Sequence, residues 1–186
     1  MGNFTGKVIF GMTVSLDGFV EDKNGSVGRL YPDLAALGET EMLQEEIRTT
    51  GAVVMGRRTY DMANGDLTGY EFQVPIFVIT HHPPEPPKGQ NENLKVFFVT
   101  DGIESAFEQA KSAAGAKNVM VVGGPEIGQK SLKKGLIDEL SFGLRPVFLG
   151  GGLRLFENFE DDRLELEEIE IFKSPGRTDI RYRVIK

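Results

Sequence analysis

The sequence predicts an α/β fold, a mixed and mostly parallel sheet with helices on its faces and an antiparallel hairpin at its C-terminal end. Two observations predict it. Short valine- and isoleucine-rich runs alternate with stretches of helical periodicity through most of the chain. Two runs of period-two alternation then follow, separated by the turn sequence Ser174-Pro-Gly-Arg177. Parallel strands need crossover helices, whereas antiparallel neighbours need only a turn, so the first pattern builds a parallel sheet and the second a hairpin.

Taken in order, Lys7–Val14 is β-rich and reads as the first strand. Ser15-Leu-Asp-Gly18, Phe19-Val20 and Glu21-Asp-Lys-Asn-Gly25 follow. Their Asp-Gly and Asn-Gly steps signal turns, which fit either a loop beside a site or a plain hairpin. Thr40–Thr50 carries Met42, Leu43 and Ile47 at helical spacing, with Thr40 as its N-cap and Gly51 as its stop. Ala52–Gly56 is a second buried strand and runs directly into Arg57-Arg-Thr-Tyr60, where a short helix is expected. Pro75–Thr80 and Lys95–Val99 are the third and fourth strands. Between them, the proline-rich, polar His81–Asn93 stretch reads as a surface loop.

Asp101-Gly-Ile-Glu104 has capping-box spacing, and Ile103, Phe107, Ala110 and Ala114 form one apolar helix face that Gly115 closes. Val119-Met-Val-Val-Gly-Gly-Pro-Glu-Ile-Gly128 is then a buried strand, a diglycine turn and a helix start, with Pro125 in the first turn, where its missing N–H is not needed. That helix runs to about Lys134, with Lys133-Lys134-Gly135 suited to its C-terminus. Ile137–Leu149 reads as a long strand in which Pro146 marks an edge or a bulge. Leu164–Phe172 and Thr178–Ile185 form the hairpin, with a slip in alternation near Glu167-Glu168 that marks a bulge.

Bulk properties narrow the function. A chain of 186 residues, 40% hydrophobic and 26% charged, is expected to form one domain, residues 1–186, with a substantial core. The formal net charge of −7 argues against nucleic acid and anionic membrane as partners. With no cysteine, disulfides, thiol catalysis and thiolate metal sites are excluded, and a cytoplasmic location is expected. Met1–Lys7 lacks the apolar core of a signal peptide, and no apolar run has the length of a membrane span. His81 and His82, the two histidines, are adjacent and point apart on an extended chain, so no metal site is expected.

Two stretches point to chemistry. Gly123-Gly124 allow close approach of backbone to a ligand, and free N–H groups at a helix start favour an anion. Read alone, this stretch fits a phosphate site or an ordinary strand-to-helix turn. Arg57-Arg58 just past a strand end suit bidentate phosphate binding, or are solvated surface arginines. Ligands of α/β sheets sit at the carboxyl ends of strands, and Ser15, Gly56, Thr80 and Gly123 all lie at such ends. If their strands are neighbours, they converge on one crevice.

Thr13-Val-Ser-Leu-Asp-Gly18, Val54-Met-Gly-Arg-Arg-Thr-Tyr60, Val121-Val-Gly-Gly-Pro-Glu126, and Asp138-Glu-Leu140 leading to Pro146-Val-Phe-Leu-Gly-Gly-Gly152 resemble, in this order, the dihydrofolate reductase-like superfamily. The closer resemblance is to the reductase domain of the bifunctional riboflavin-biosynthesis deaminase/reductase, the RibD C-terminal domain, and to stand-alone bacterial proteins similar to it. It covers about Lys7 to Val184. The resemblance implies a dihydrofolate reductase-like three-layer αβα sandwich with about eight strands, a homodimer, and NADPH as cofactor.

Residue by residue, the resemblance implies that Thr13 faces the nicotinamide carboxamide through its backbone. Gly56, Arg57, Arg58 and Thr59 would hold the pyrophosphate and the 2′-phosphate, and Thr80 would lie near the adenine ribose. Gly123-Gly124 would be the diglycine turn beside the nicotinamide, often with a cis peptide, and Pro125, Glu126 and Ile127 would start the helix under the pyrophosphate. Dihydrofolate reductases also place a carboxylate on the first helix; the candidates here are Asp33, Glu39, Glu41 and Glu46. The expected function is hydride transfer from NADPH to a small heterocyclic or carbonyl substrate, pterin- or pyrimidine-like. Asp17 and Glu41 are the proposed proton donors, or ordered water serves instead. The rival readings are a non-catalytic NADP(H)-binding sensor or structural homodimer that lost the substrate side, and a phosphometabolite hydrolase. The hydrolase would need a metal or a nucleophile–base pair that the sequence does not display.

Overall fold

The computed structural model describes residues 4–85, 87–157, 159, 164–174 and 176–185. Met1–Asn3, Pro86 in the proline-rich stretch and Pro175 in the hairpin turn lie outside the described residues. The elements run β1 (Val8–Ser15), β2 (Phe19–Glu21), α1 (Leu34–Gly38), α2 (Glu41–Thr49), β3 (Thr50–Gly56), α3 (Arg57–Met62), β4 (Ile76–Ile79) and β5 (Val96–Val99). Then come α4 (Ile103–Ala114), β6 (Asn118–Val122), α5 (Pro125–Lys133), β7 (Glu139–Arg145), β8 (Leu153–Arg154), β9 (Glu165–Ser174) and β10 (Arg177–Ile185).

Eight strands form one sheet in the order β5-β4-β3-β6-β1-β7-β10-β9. The six from β5 to β7 are parallel, and β10 pairs antiparallel with both β7 and β9. Period-two alternation divides the central strands between two cores. Val8, Phe10, Val54, Val119 and Val121 join Phe107 and Ala110 of α4 on one face; Ile9, Val53, Met55 and Met120 join Tyr60, with Leu43 and Ile47 of α2 packed beside them, on the other. A strand buried on both faces reads as a continuous apolar run for this reason. Each fully buried Val or Phe here contributes roughly 1.5–3 kcal/mol.

Local chemistry sets the boundaries, and in four places it departs from expectation. Thr40 caps α2 as expected, its hydroxyl accepting from Leu43 N at 3.4 Å. Gly51, however, does not stop that helix but belongs to β3. Its open side faces α4, because a Cβ there would come within 2.9 Å of Ala114. Asp101 makes no capping box. Gly102, at φ 115°, is the N-cap, and Asp101 instead accepts from the Ser105 hydroxyl at 2.8 Å.

The strand expected over Ile137–Leu149 stops at Arg145. It is an interior strand, and Pro146 has no N–H to continue its ladder. The Gly123–Gly124 peptide is not cis, since no cis peptide occurs among the described residues; both glycines take positive φ, 68° and 75°, and turn the chain that way. The bulge near Glu167-Glu168 is present: Arg181 pairs with Glu170 and Tyr182 with Glu168, so Ile169 is the extra residue.

Candidate functional site

β4, β3, β6 and β1 are consecutive neighbours, so the carboxyl ends carrying Thr80, Gly56, Gly123 and Ser15 line up along one edge. α5 lies close against this edge because Gly128 has no Cβ; one there would overlap the Phe10 ring. Ile127 fills the space between Gly56 and Gly124, 3.3 Å from where a Gly56 Cβ would stand. Gly123 faces Thr59 in the same way, and any side chain on Gly123 would overlap it.

Two cavities open here, sharing Gly11, Met12, Tyr31 and Val122 as a common wall. The first, about 180 Å³, is lined by Gly123, Gly124, Pro125, Arg58, Thr59 and Glu21. It brings together five of the residues expected to hold a dinucleotide. Its diglycine floor fits a phosphate-bearing cofactor: both glycines take positive φ, Gly123 has no room for a side chain beside Thr59, and one cation, Arg58, stands in the same lining. A small antiparallel pair, β2 with β8, forms its cover. Arg154 holds that pair, with its guanidinium 4.4 Å from the Phe19 ring centre.

The second cavity holds Thr13, Glu46, Ser141 and Arg177. Glu46 is buried on α2 and accepts from the Ser141 hydroxyl at 2.6 Å; Arg181 stands 3.9 Å from it and pairs with Glu45 at 3.1 Å. Burial pushes the Glu46 carboxyl above its ordinary range, and Ser141 and Arg181 only partly offset this. Arg177 forms a buried ion pair with Asp179 and donates to Thr13 Oγ1 at 3.1 Å. Its guanidinium lies over Gly143, where a Cβ would overlap it.

The remaining expected residues lie elsewhere. Thr80 forms a turn with His82 at the end of β4, outside both cavities, donating to its carbonyl at 3.1 Å and accepting from its N–H at 3.2 Å. Arg57 points away from the diglycine turn, to Asp61 at 2.7 Å and the His82 carbonyl at 2.6 Å. Glu126 is exposed and pairs with Lys130 at 2.5 Å. Asp17 accepts from Ser15 Oγ at 2.6 Å, Gly150 N at 2.8 Å and Leu149 N at 3.1 Å. Ser15 leads these contacts in pulling its pKa down to about 2, so Asp17 is ionised at neutral pH and ties the end of β1 to the 149–150 turn. Glu41 is exposed at the start of α2, in an outer groove beside Arg145 and Lys173. Asp33 caps α1, accepting from Ala36 N at 2.9 Å.

Of the four carboxylates considered for the first helix, Glu46 is the one in the inner cavity. The signal was its position four residues after Met42, inside the apolar stripe of α2. Ser141, Arg177 and Glu21 carried no comparable signal. Among the described residues, no group of three or more His, Asp or Glu side chains is arranged to hold a metal, and no helix is long and apolar enough to cross a membrane.

Comparison with known proteins agrees with this architecture. The family model of the RibD C-terminal domain matches residues 6–177. Uncharacterized protein YyaP of Bacillus subtilis (strain 168) is 27% identical over 156 residues, 81% of this chain and 80% of its own length. The crystal structure of a putative riboflavin biosynthesis protein from Shewanella sp. PV-4 superposes with a TM-score of 0.77 at 26% identity, over 97% of this chain and 99% of that one. Dihydrofolate reductase from Enterococcus faecalis, solved with NADP(H), shares the fold with a TM-score of 0.63 at 15% identity, over 98% of this chain and 99% of that one. The family match runs from the approach to β1 to the first residue of β10, spanning both cavities. The chain belongs to the RibD C-terminal domain family.

Proposed function

We propose that this protein is an NADPH-dependent reductase of a small heterocyclic or carbonyl substrate, pterin- or pyrimidine-like. The observation that carries the reading is the pair of adjoining cavities with Tyr31 and Val122 in their common wall. One has a glycine floor and an arginine suited to a dinucleotide; the other has a buried carboxyl suited to a proton-accepting ring or carbonyl. NADPH, when bound, supplies the hydride. Arg58 would hold its 2′-phosphate and the Gly123–Pro125 turn its pyrophosphate, with Thr59 closing the floor.

Glu46 is the residue we assign to proton delivery, in place of Asp17 and Glu41. Burial raises its pKa and so favours the protonated form that a donor needs, and Ser141 holds the carboxyl at one end. Arg177 and Thr13, which line the same cavity, would orient a polar group of the substrate. With the cofactor in one cavity and the substrate in the other, donor and acceptor would meet across the shared wall, which would limit water between them.

The reading includes a cytoplasmic homodimer. The absence of cysteine supports the location. For the dimer, β9 is an edge strand with Leu166, Ile169 and Ile171 38–50% exposed. Light scattering would report the assembly. The deciding experiment is calorimetric titration with NADPH and, separately, NADH, followed by a substrate screen that reads NADPH oxidation. Micromolar NADPH binding with weaker NADH binding supports the reading; no binding of either removes it.

A further inference from the structure

Among the described residues lining the diglycine cavity, Arg58 is the one cation and Glu21 the one carboxylate. They are paired, with Arg58 Nη2 2.7 Å from both Glu21 oxygens. The pair is lopsided. The Glu21 side chain is 13% exposed and the Arg58 side chain 62%. Arg58 is also the only described donor to the Glu21 carboxylate.

Glu21 is held in this place by the cover of the cavity. It pairs with Leu153 across the β2–β8 ladder. Behind it, Gly152 at φ 125° presses so close that a Cβ would overlap the Glu21 carbonyl oxygen. The glycine permits the approach, and the approach fixes the backbone that carries the carboxylate.

We infer that Glu21 is a cofactor-discriminating residue: its carboxylate occupies Arg58 as a resident anion that the 2′-phosphate of NADPH must displace. The inference rests on the dinucleotide reading of this cavity. A phosphate dianion outcompetes a carboxylate for a guanidinium, whereas a neutral ribose hydroxyl does not. Displacement leaves Glu21 mostly covered, without its donor and beside a second negative charge. Glu21 therefore lowers affinity for a ligand that sets a phosphate on Arg58 and leaves one that sets a hydroxyl there untouched.

The test compares wild type, Glu21→Gln and the double variant Glu21→Gln/Arg58→Gln by calorimetry with NADPH and NADH at low ionic strength. Glutamine keeps the shape and removes the charge. Glu21→Gln is expected to bind NADPH at least fivefold tighter than wild type, with NADH unchanged within twofold, and the gain is expected to vanish once Arg58 is also replaced. Unchanged or weaker NADPH binding, or equal tightening of both cofactors, overturns the inference. Should Glu21→Gln not fold, as read by its thermal melt, Glu21→Ser is measured against the same thresholds. If neither dinucleotide binds any form, the cofactor reading fails, and titration with inorganic pyrophosphate decides this point separately. Tighter pyrophosphate binding by Glu21→Gln than by wild type sustains the resident-anion role; equal or absent binding overturns it.

Discussion

Thr59 occupies the space that a side chain at Gly123 would need. The two residues come from different strand–helix units, β3–α3 and β6–α5, and their contact brings the arginine-bearing helix against the diglycine turn. Gly123 also sits at φ 68°, which other L-residues reach only at a cost of about 1–2 kcal/mol.

Gly123→Ala therefore combines strain with overlap. It is expected to destabilise the fold by about 2–4 kcal/mol and to reduce NADPH affinity well beyond that of Gly115→Ala, which has positive φ but open space around it. Denaturant melts and calorimetry of both variants check this. Equal NADPH affinity in the two would detach the turn from cofactor binding.

The adjacent arginines separate into different tasks. Arg58→Ala is expected to weaken NADPH about 10- to 100-fold and NADH by less than threefold, matching the loss of one charge-assisted contact. Arg57→Ala removes the tie to the His82 carbonyl, so it should lower stability by about 1 kcal/mol with a smaller effect on NADPH. Identical cofactor profiles for the two variants would contradict this division.

Glu46 makes stability depend on pH in a stated direction. Burial raises its folded pKa above the ordinary 4.5, so between the two values the native state holds more protons than the unfolded state. This contribution is fully present below pH 4.5, and stability falls as pH rises through the folded pKa. Glu46→Gln is expected to abolish that component of the decline, seen in urea melts from pH 4 to 9. Once a substrate is in hand, the same variant should lower turnover about 10²- to 10⁴-fold with NADPH affinity unchanged.

Asp17 has the opposite sign. Its pKa is lowered from 3.8 to about 2, first by the Ser15 hydroxyl, so its stabilising contribution is present above pH 3.8 and disappears as pH falls toward 2. Asp17→Asn is expected to melt earlier than wild type at pH 7, with a gap that narrows steadily below pH 4. A constant gap would assign the loss to packing instead.

Gly128→Ala puts a methyl group into the Phe10 ring and should cost about 1–3 kcal/mol by pushing α5 off the sheet. Gly135→Ala is its control, since nothing stands near that Cβ and only positive φ opposes it. Comparable chemical melts would argue against close helix–sheet packing at Gly128.

Much of this molecule was legible because local chemistry and global position agree. The valine runs of β3 and β6 are apolar on both faces because both faces are covered, and Pro125 stands at the start of α5 where its missing N–H does no harm. Misreadings arose where neighbours in space decided the outcome. Gly51 looks like a helix stop, yet its missing Cβ serves contact with Ala114, residues away in sequence. Asp101 has capping-box spacing, but the positive φ of Gly102 redirects its carboxylate.

The sequence by itself determined the strands of the main sheet, the helices α2 to α5, their parallel-then-hairpin order and the position of the diglycine turn, but not α1 or β8, since hydrophobic period, turn residues and capping act within a few residues of chain. Only the tertiary structure decided which charges face which cavity. Glu46 meets Ser141 across ninety-five positions, Arg177 meets Thr13 across one hundred and sixty-four, and Glu21 meets Arg58 across thirty-seven. Such pairings depend on strand order and register, and neither is written in the spacing of the residues that meet.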